Sequence, residues 1–213
     1  MRILHLSDNH GLFYPLENSD IICHTGDLLP NKSYGTRCIE EKFQDNWVKL
    51  NLDRFKAWIG DRPFFYTAGN HDFIDPVPLL QSVGIDAFNV HDGFGMEYNG
   101  VTFAGFPWIK WFTGMWNREI DEIEIAERLT VLPPCDILMT HSPMYGVLDR
   151  NYDGERCGST SLRDYMKKFK GKALLCGHIH ESAGIQRWSN DILVSNAATT
   201  QKVINYHGSR ATV

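Results

Sequence analysis

With 213 residues, of which 43% are hydrophobic and 22% charged, the chain has the make-up of a globular protein, not of a disordered, collagen-like or coiled-coil one. A chain this long buries roughly 70% of the surface its unfolded form exposes, so a single domain over residues 1–213 can build its own core. The net charge of −5 argues against a general binder of phosphate backbones, and no apolar run reaches the roughly 18 residues that a membrane span needs.

Residues 3–6 form an apolar run that stops at Ser7-Asp8, as a buried strand does on meeting a turn. Residues 11–18 read as a loop elaboration. A second run, 21–23, ends in His24-Thr25-Gly26-Asp27. Between 36 and 59 the spacing of Ile39, Phe43, Trp47, Leu50, Phe55, Trp58 and Ile59 predicts a helix whose apolar side chains face the core. Residues 64–66 are the next strand, stopped by Gly69-Asn70-His71-Asp72, and 76–83 read as a helix. Asn99-Gly100 within 96–106 signals a hairpin. The segment 106–116 is dense in aromatics, and 116–129 carries a weaker helical pattern. Residues 137–139 lead into Thr140-His141-Ser142, followed by a long loop over 143–159 and a helix over 161–169. Residues 173–176 run into Gly177-His178-Ile179-His180, and 184–206 read as consecutive strands. Strands separated by helices, then a strand-rich final third, predict an α/β protein of stacked sheets with helices outside.

The cysteines number five, an odd count, and no CxxC pair occurs, so a disulfide framework is a poor reading. Cys23, Cys135 and Cys176 sit in or beside apolar runs as small hydrophobes. The opening residues lack the long apolar stretch of a signal peptide, and a cytoplasmic location is expected. His5 reads as a core residue, His24 as a support for a ligand, and His91 and His207 as surface residues.

The polar clusters carry the chemistry. Each alone is weak: Asp8-x-His10 can be a polar strand end, and His141 a satisfied core histidine. His178 and His180 say more, because residues i and i+2 of an extended chain point the same way, and paired imidazoles suit a metal. The ordered set is stronger than its parts. DxH, GD, GNHD, a lone histidine and GHxH occur in that order, each at the carboxyl end of an expected strand, from Asp8 to His180. This set resembles the calcineurin-like metallophosphoesterase family. The resemblance implies a four-layer α/β/β/α sandwich with two divalent metal ions over the strand ends. It places Asp8, His10 and His180 on one ion, Asn70, His141 and His178 on the other, and Asp27 between them. Mixed imidazole, carboxylate and amide ligands suit Mn, Fe, Zn, Ni or Co, with Mn favoured, better than Mg alone. A hydroxide shared by the ions would attack phosphorus. His71 would protonate the leaving oxygen as general acid, and Asp72 would either orient a histidine or cap a helix after it.

The run Gly26-Asp27-Leu28-Leu29-Pro30-Asn31-Lys32 lacks the Asp-Arg-Gly of the protein phosphatase and diadenosine-tetraphosphatase branch. The segments 23–27, 141–143, 157–162, 177–181 and 196–199 instead resemble the small metallophosphodiesterase-domain (MPPED) group, which implies hydrolysis of phosphodiesters, cyclic nucleotides included. A small phosphodiester or nucleotide is the expected substrate. Trp108 and Trp111, with Phe112 and Trp116, could stack a base or pack in the core or a dimer. Arg150 and Arg156 follow His141 and could clamp a phosphoryl oxygen or lie on the surface. The alternatives are a DNA or RNA nuclease of the same chemistry and a metal-free interaction scaffold. The net charge and the lack of a basic stripe count against tight duplex binding, and the intact ligand set counts against the scaffold.

Overall fold

Period-two alternation sorts the side chains of the central strands onto two faces. In the computed structural model, which describes residues 1–32, 36–91, 95–208 and 210–213, the chain runs β1 (Arg2–Leu6), β2 (Ile21–His24), α1 (Arg37–Leu50), α2 (Leu52–Ile59), β3 (Phe64–Tyr66), α3 (Val77–Ser82) and β4 (Ala87–Asn89). It continues through β5 (Met96–Tyr98), β6 (Val101–Phe106), β7 (Ile109–Lys110), β8 (Glu119–Ile120), α4 (Glu122–Leu129), β9 (Ile137–Thr140), α5 (Thr160–Met166) and β10 (Ala173–Cys176). β11 (Gly184–Trp188), β12 (Ile192–Asn196), β13 (Gln201–Tyr206) and β14 (Ala211–Thr212) complete it.

One six-stranded sheet has the order β14-β13-β1-β2-β3-β4, and the other β11-β12-β10-β9-β6-β5. The middle strands are parallel; β1–β13, β13–β14, β11–β12 and β5–β6 pair antiparallel, and the β4 edge is parallel. Ile3, Cys23 and Phe65 of the first sheet meet Phe103, Met139 and Leu175 of the second in a shared core, where Phe65 and Phe103 stack at 4.8 Å. The opposite faces take the helices. Leu4, Leu6, Ile22, Phe64 and Tyr66 pack on Val48, Phe55, Ile59 and Leu80 of α1–α3. Leu138, Leu174 and Val194 pack on Ile125, Leu129, Leu162 and Met166 of α4 and α5. Three cores make four layers, the α/β/β/α sandwich expected. Strands apolar on both faces are what a sheet covered on both sides requires.

Parallel register brings the carboxyl ends of the strands to one edge. Leu6 pairs with His24 and His24 with Tyr66, while Leu175 pairs with Met139. Ser7 bridges to Ala198, and the Thr199 N–H donates to Ser7 O, which ties the end of the first sheet to the loop after β12.

Several expectations need correction. The helix over 36–59 is two helices, broken at Asn51. Its inner face is also shifted by one residue: Ile39 and Leu50 are exposed, while Glu40, Gln44 and Val48 are buried. Polar bonds outweigh the apolar pattern here. Glu40 accepts from Lys32 N and Asn31 Nδ2, and Gln44 accepts from Phe73 N while donating to His71 O and Pro30 O. The helix α4 starts only at Glu122, capped by Asp121, whose side chain accepts from Glu124 N. His91 is buried and not on the surface; its Nδ1 accepts from Ala68 N, and its ring lies 6.2 Å from that of Tyr66. His5 is a satisfied core residue, bonded to Ser195 and Thr25.

Candidate metal centre

Each cluster of polar residues sits just past a strand end, where the chain must reverse. Asp8, His10, Asp27 and His178 do so with φ of 56°, 45°, 54° and 68°. Left-handed backbone costs an L-residue about 1–2 kcal/mol, and Asp and His are among the types found there most often. Strain of this kind gathers at sites where side-chain direction matters. Two motif glycines make room for the carboxylates. A Cβ on Gly69 would fall on Asp27 Oδ1, and one on Gly177 would fall on Ser7 Oγ and Asp8 Oδ2.

The turns converge. Ligand atoms of Asp8, His10 and His180 lie within 4.8 Å of one another, as do those of His10, Asp27 and His71, and those of Asp8, Asp27 and His141. His180 Nε2 is 3.3 Å from Asp8 Oδ1, and the His178 N–H donates to Asp8 Oδ2. On the other side His141 Nδ1–H donates to Thr25 O at 2.7 Å. That bond fixes the tautomer and leaves Nε2 as a lone pair in the neutral ring. Nε2 faces Asn70 Oδ1 at 2.9 Å and Asp27 Oδ2 at 3.3 Å. Three acceptors therefore converge in a buried place, and Asn70 Nδ2 has no hydrogen-bond partner. A cation resolves such a set, as does a proton on Nε2 or a turn of the Asn70 amide that brings Nδ2 to His141. The His178 ring lies 5.0 Å from that of His141. Asp8, His10 and His180 could hold one ion, and His141, Asn70 and Asp27, with the His178 ring beside them, could hold a second.

The electrostatics agree. Burial would push His141 down, but the Asp27 carboxylate outweighs it and raises the ring to about 9, so a proton and a cation compete for the same Nε2 lone pair beside Asp27. Burial, aided by His141, lowers His178 to about 4, so its ring is neutral and able to ligate. Burial would raise Asp27, but His141 and His71 hold it well below the usual carboxylate range. His180 is raised by its bond to Asp8.

Surrounding bonds lock these groups. Asp72 accepts from Asp27 N at 2.7 Å, Gly69 N at 2.9 Å and Leu29 N at 3.0 Å, so it braces two ligand loops against each other. It does not cap a helix, since α3 begins at Val77 after Pro76. His24 holds Asn9, between Asp8 and His10, through Nε2···Oδ1 at 2.9 Å, and burial lowers its ring to about 3. His71 Nδ1 lies 2.6 Å from Asn31 Oδ1, and Asn31 Nδ2 donates to His71 O and Glu40. His71 Nδ1 therefore carries a hydrogen, and Nε2 points at the centre, 4.0 Å from Asp27 Oδ2. Trp116 covers the His71 ring, with centroids 3.9 Å apart. The cavity of about 600 Å³ above these groups is lined by His10, Asp27, Asn70, His71, Phe112 and Trp116, among others.

The substrate candidates part company. Trp108 packs on the α4 layer under the Arg128 guanidinium, 4.0 Å from its ring centre, and does not line the metal cavity. Trp111 is 55% exposed and lines a neighbouring cavity together with Arg156. Arg156 pairs with the buried Asp149, and Arg150 bonds Gly154 O within its own loop. Asn31, Arg118 and Glu119 carry no motif and were not singled out from the sequence. Arg118 donates to Gly69 O and Asp72 O, and Glu119 gathers the turn over 112–116.

The sequence matches the family model described as calcineurin-like phosphoesterase over residues 1–182. One solved crystal structure is similar with a TM-score of 0.76 at 15% identity, covering 99% of this chain and 97% of the other. The crystal structure of TT1561 from Thermus thermophilus is similar with a TM-score of 0.61 at 14% identity, covering 92% of this chain and 88% of its own. At such identities these likenesses speak for the fold alone. No curated protein sequence matches the chain.

Proposed function

Because the chain belongs to the calcineurin-like phosphoesterase family, whose members hydrolyse phosphoesters with bound metal, we propose that it is a two-metal phosphodiesterase acting on nucleotide-type diesters. One observation carries the reading: the lone pairs of His141 Nε2, Asn70 Oδ1 and Asp27 Oδ2 converge beside the Asp8–His10–His180 group. Two divalent ions held there supply charge neutralisation for the phosphoryl oxygens and an acidified water as nucleophile. Manganese leads among Mn, Fe, Zn, Ni and Co for this mixture of ligands.

The chain's own residues do the rest. Asp27 meets both ligand groups and offsets their mutual charge. His71 is held by Asn31 through Nδ1–H, so only Nε2 can give a proton to the leaving oxygen. Burial lowers the His71 pKa below the ordinary 6.5, so the form that carries the Nε2 proton is a minority at neutral pH and its share grows as pH falls. Trp116 shields the ring from water on one face. The resemblance of 23–27 and 177–181 to the metallophosphodiesterase-domain group directs the reading to diesters. The retained donor set speaks against a metal-free scaffold. Among the described residues no helix is long and apolar enough to cross a membrane. We assign the cytoplasm, since five cysteines without a CxxC pair suit a reducing compartment. The test is metal content together with manganese-dependent turnover of bis-p-nitrophenyl phosphate against p-nitrophenyl phosphate. Turnover of the monoester alone would overturn the diester assignment.

A further inference from the structure

Phe112 stands between two cavities. On one side is the metal cavity; on the other is a space of about 500 Å³ lined by Lys110, Trp111, Asn151 and Arg156. Both cavities share Phe112 and the ligand His178 as walls. A phosphorus atom at the metal centre therefore has open room in two directions. A monoester needs only one of them.

We propose that the second cavity receives the substituent of a phosphodiester that is not released, and that it selects a flat ring such as an aryl group or a nucleobase. This rests on the diesterase reading above and deepens it. Trp111 and Phe112 are 55% and 49% exposed, large aromatic faces left to water at the mouth of a site. Trp108, by contrast, is spent on Arg128. The aromatic wall is also set in advance. The Glu119 carboxylate accepts from the backbone N–H of Phe112, Thr113, Gly114 and Trp116 at 2.7–3.0 Å, and from Thr113 Oγ1 at 2.9 Å. A turn tied at so many points loses little entropy when a ring stacks on it. Lys110 adds positive charge beside an anionic diester. Arg156 is already paired with Asp149, so selection falls to the ring faces and not to an arginine clamp.

The test compares bis-p-nitrophenyl phosphate with methyl p-nitrophenyl phosphate. The bond broken and the leaving group are the same; only the retained substituent differs. Stacking on an aromatic side chain is worth roughly 1–3 kcal/mol, about 5- to 150-fold. In Trp111→Ala the ratio of kcat/KM for the bis ester over the methyl ester should fall by at least about fivefold relative to wild type, chiefly through KM. Trp111→Phe keeps a flat face and should recover most of the ratio, while Trp111→Leu should not. The Phe and Leu variants keep the comparison decisive should the Ala variant fold poorly. A ratio that stays within about twofold of wild type in both Ala and Leu variants overturns the subsite while leaving the diesterase reading intact. If the wild-type protein turns over the monoester but neither diester, the diesterase reading falls and the subsite falls with it.

Discussion

Replacing Asp72 by Asn exchanges one carboxylate oxygen for an amide nitrogen without changing the shape of the side chain. Oδ2 accepts from Asp27 N and Gly69 N, and Oδ1 from Leu29 N, all in a fully buried place. An amide has one oxygen. Its better orientation keeps the Asp27–Gly69 pair and turns its NH₂ toward the Leu29 N–H. A buried donor left unpaired costs about 1–3 kcal/mol. The two surviving bonds also lose their charge assistance, which is worth roughly half their strength. Against this, burial and the neighbouring Asp27 push the Asp72 carboxyl up, so removing the charge returns part of the loss. The balance is a destabilisation of about 2–4 kcal/mol. For a chain of this size each kcal/mol moves Tm by roughly 2–4 °C, so Tm should fall by about 5–15 °C. Because Asp72 braces the loops of Asp27 and Gly69, the metal count should fall as well. Calorimetry with and without a chelator, plus elemental analysis, reads both effects. A variant within about 1 °C of wild type that keeps its metal would refute the bracing role.

His71→Asn should keep its metals but lose roughly 10²–10⁴ in rate on esters with alkoxide leaving groups, and much less with p-nitrophenolate; a defect that ignores leaving-group pKa would remove the general-acid role. Gly177→Ala places a methyl group on Ser7 and Asp8, so the ion among Asp8, His10 and His180 should weaken, and an unchanged metal titration would contradict that geometry. Burial would raise the Glu119 carboxyl, but the N–H groups of Gly114, Phe112, Thr113 and Trp116 bring it down to about 2. With the folded pKa below the ordinary 4.5, the latch is complete above that pH and is lost as pH falls toward 2. Hydrogen exchange over 112–116, corrected for intrinsic rates, should lose protection across that window. Glu119→Gln should lack the protection even at neutral pH, and equal protection in variant and wild type would contradict the latch.

What could be read from the sequence was set by local rules. Strands such as 137–139 are short, apolar and stopped abruptly, so their ends and the polar residues beyond them stand out. Parallel register then gathers those ends without further information, which is why Asp8, Asp27, Asn70, His141 and His180 lie together. The phase of α1 was hidden because Glu40 and Gln44 look like solvent-facing residues until the loops they bond are in place. His91 looked like a surface residue because nothing local shows that it packs on Tyr66 and bonds Ala68. Asn31 and Glu119 act through backbone and amide groups of distant or strongly bent segments, contacts that leave no periodicity. The aromatic segment 106–116 splits between Trp108 in the helical layer and Trp116 on His71, a division made by the turn at Glu119 and not by residue type.

We propose that a pair of ions, shared through Asp27, makes this chain a phosphodiesterase. Chelated protein titrated with manganese, with metal per chain and turnover of bis-p-nitrophenyl phosphate followed together, tests it most directly. Two equivalents should bind, turnover should appear with their uptake, and Asp27→Asn should lose at least one ion and the activity with it. Turnover that is indifferent to chelation, or full activity in Asp27→Asn with both ions retained, would contradict the account.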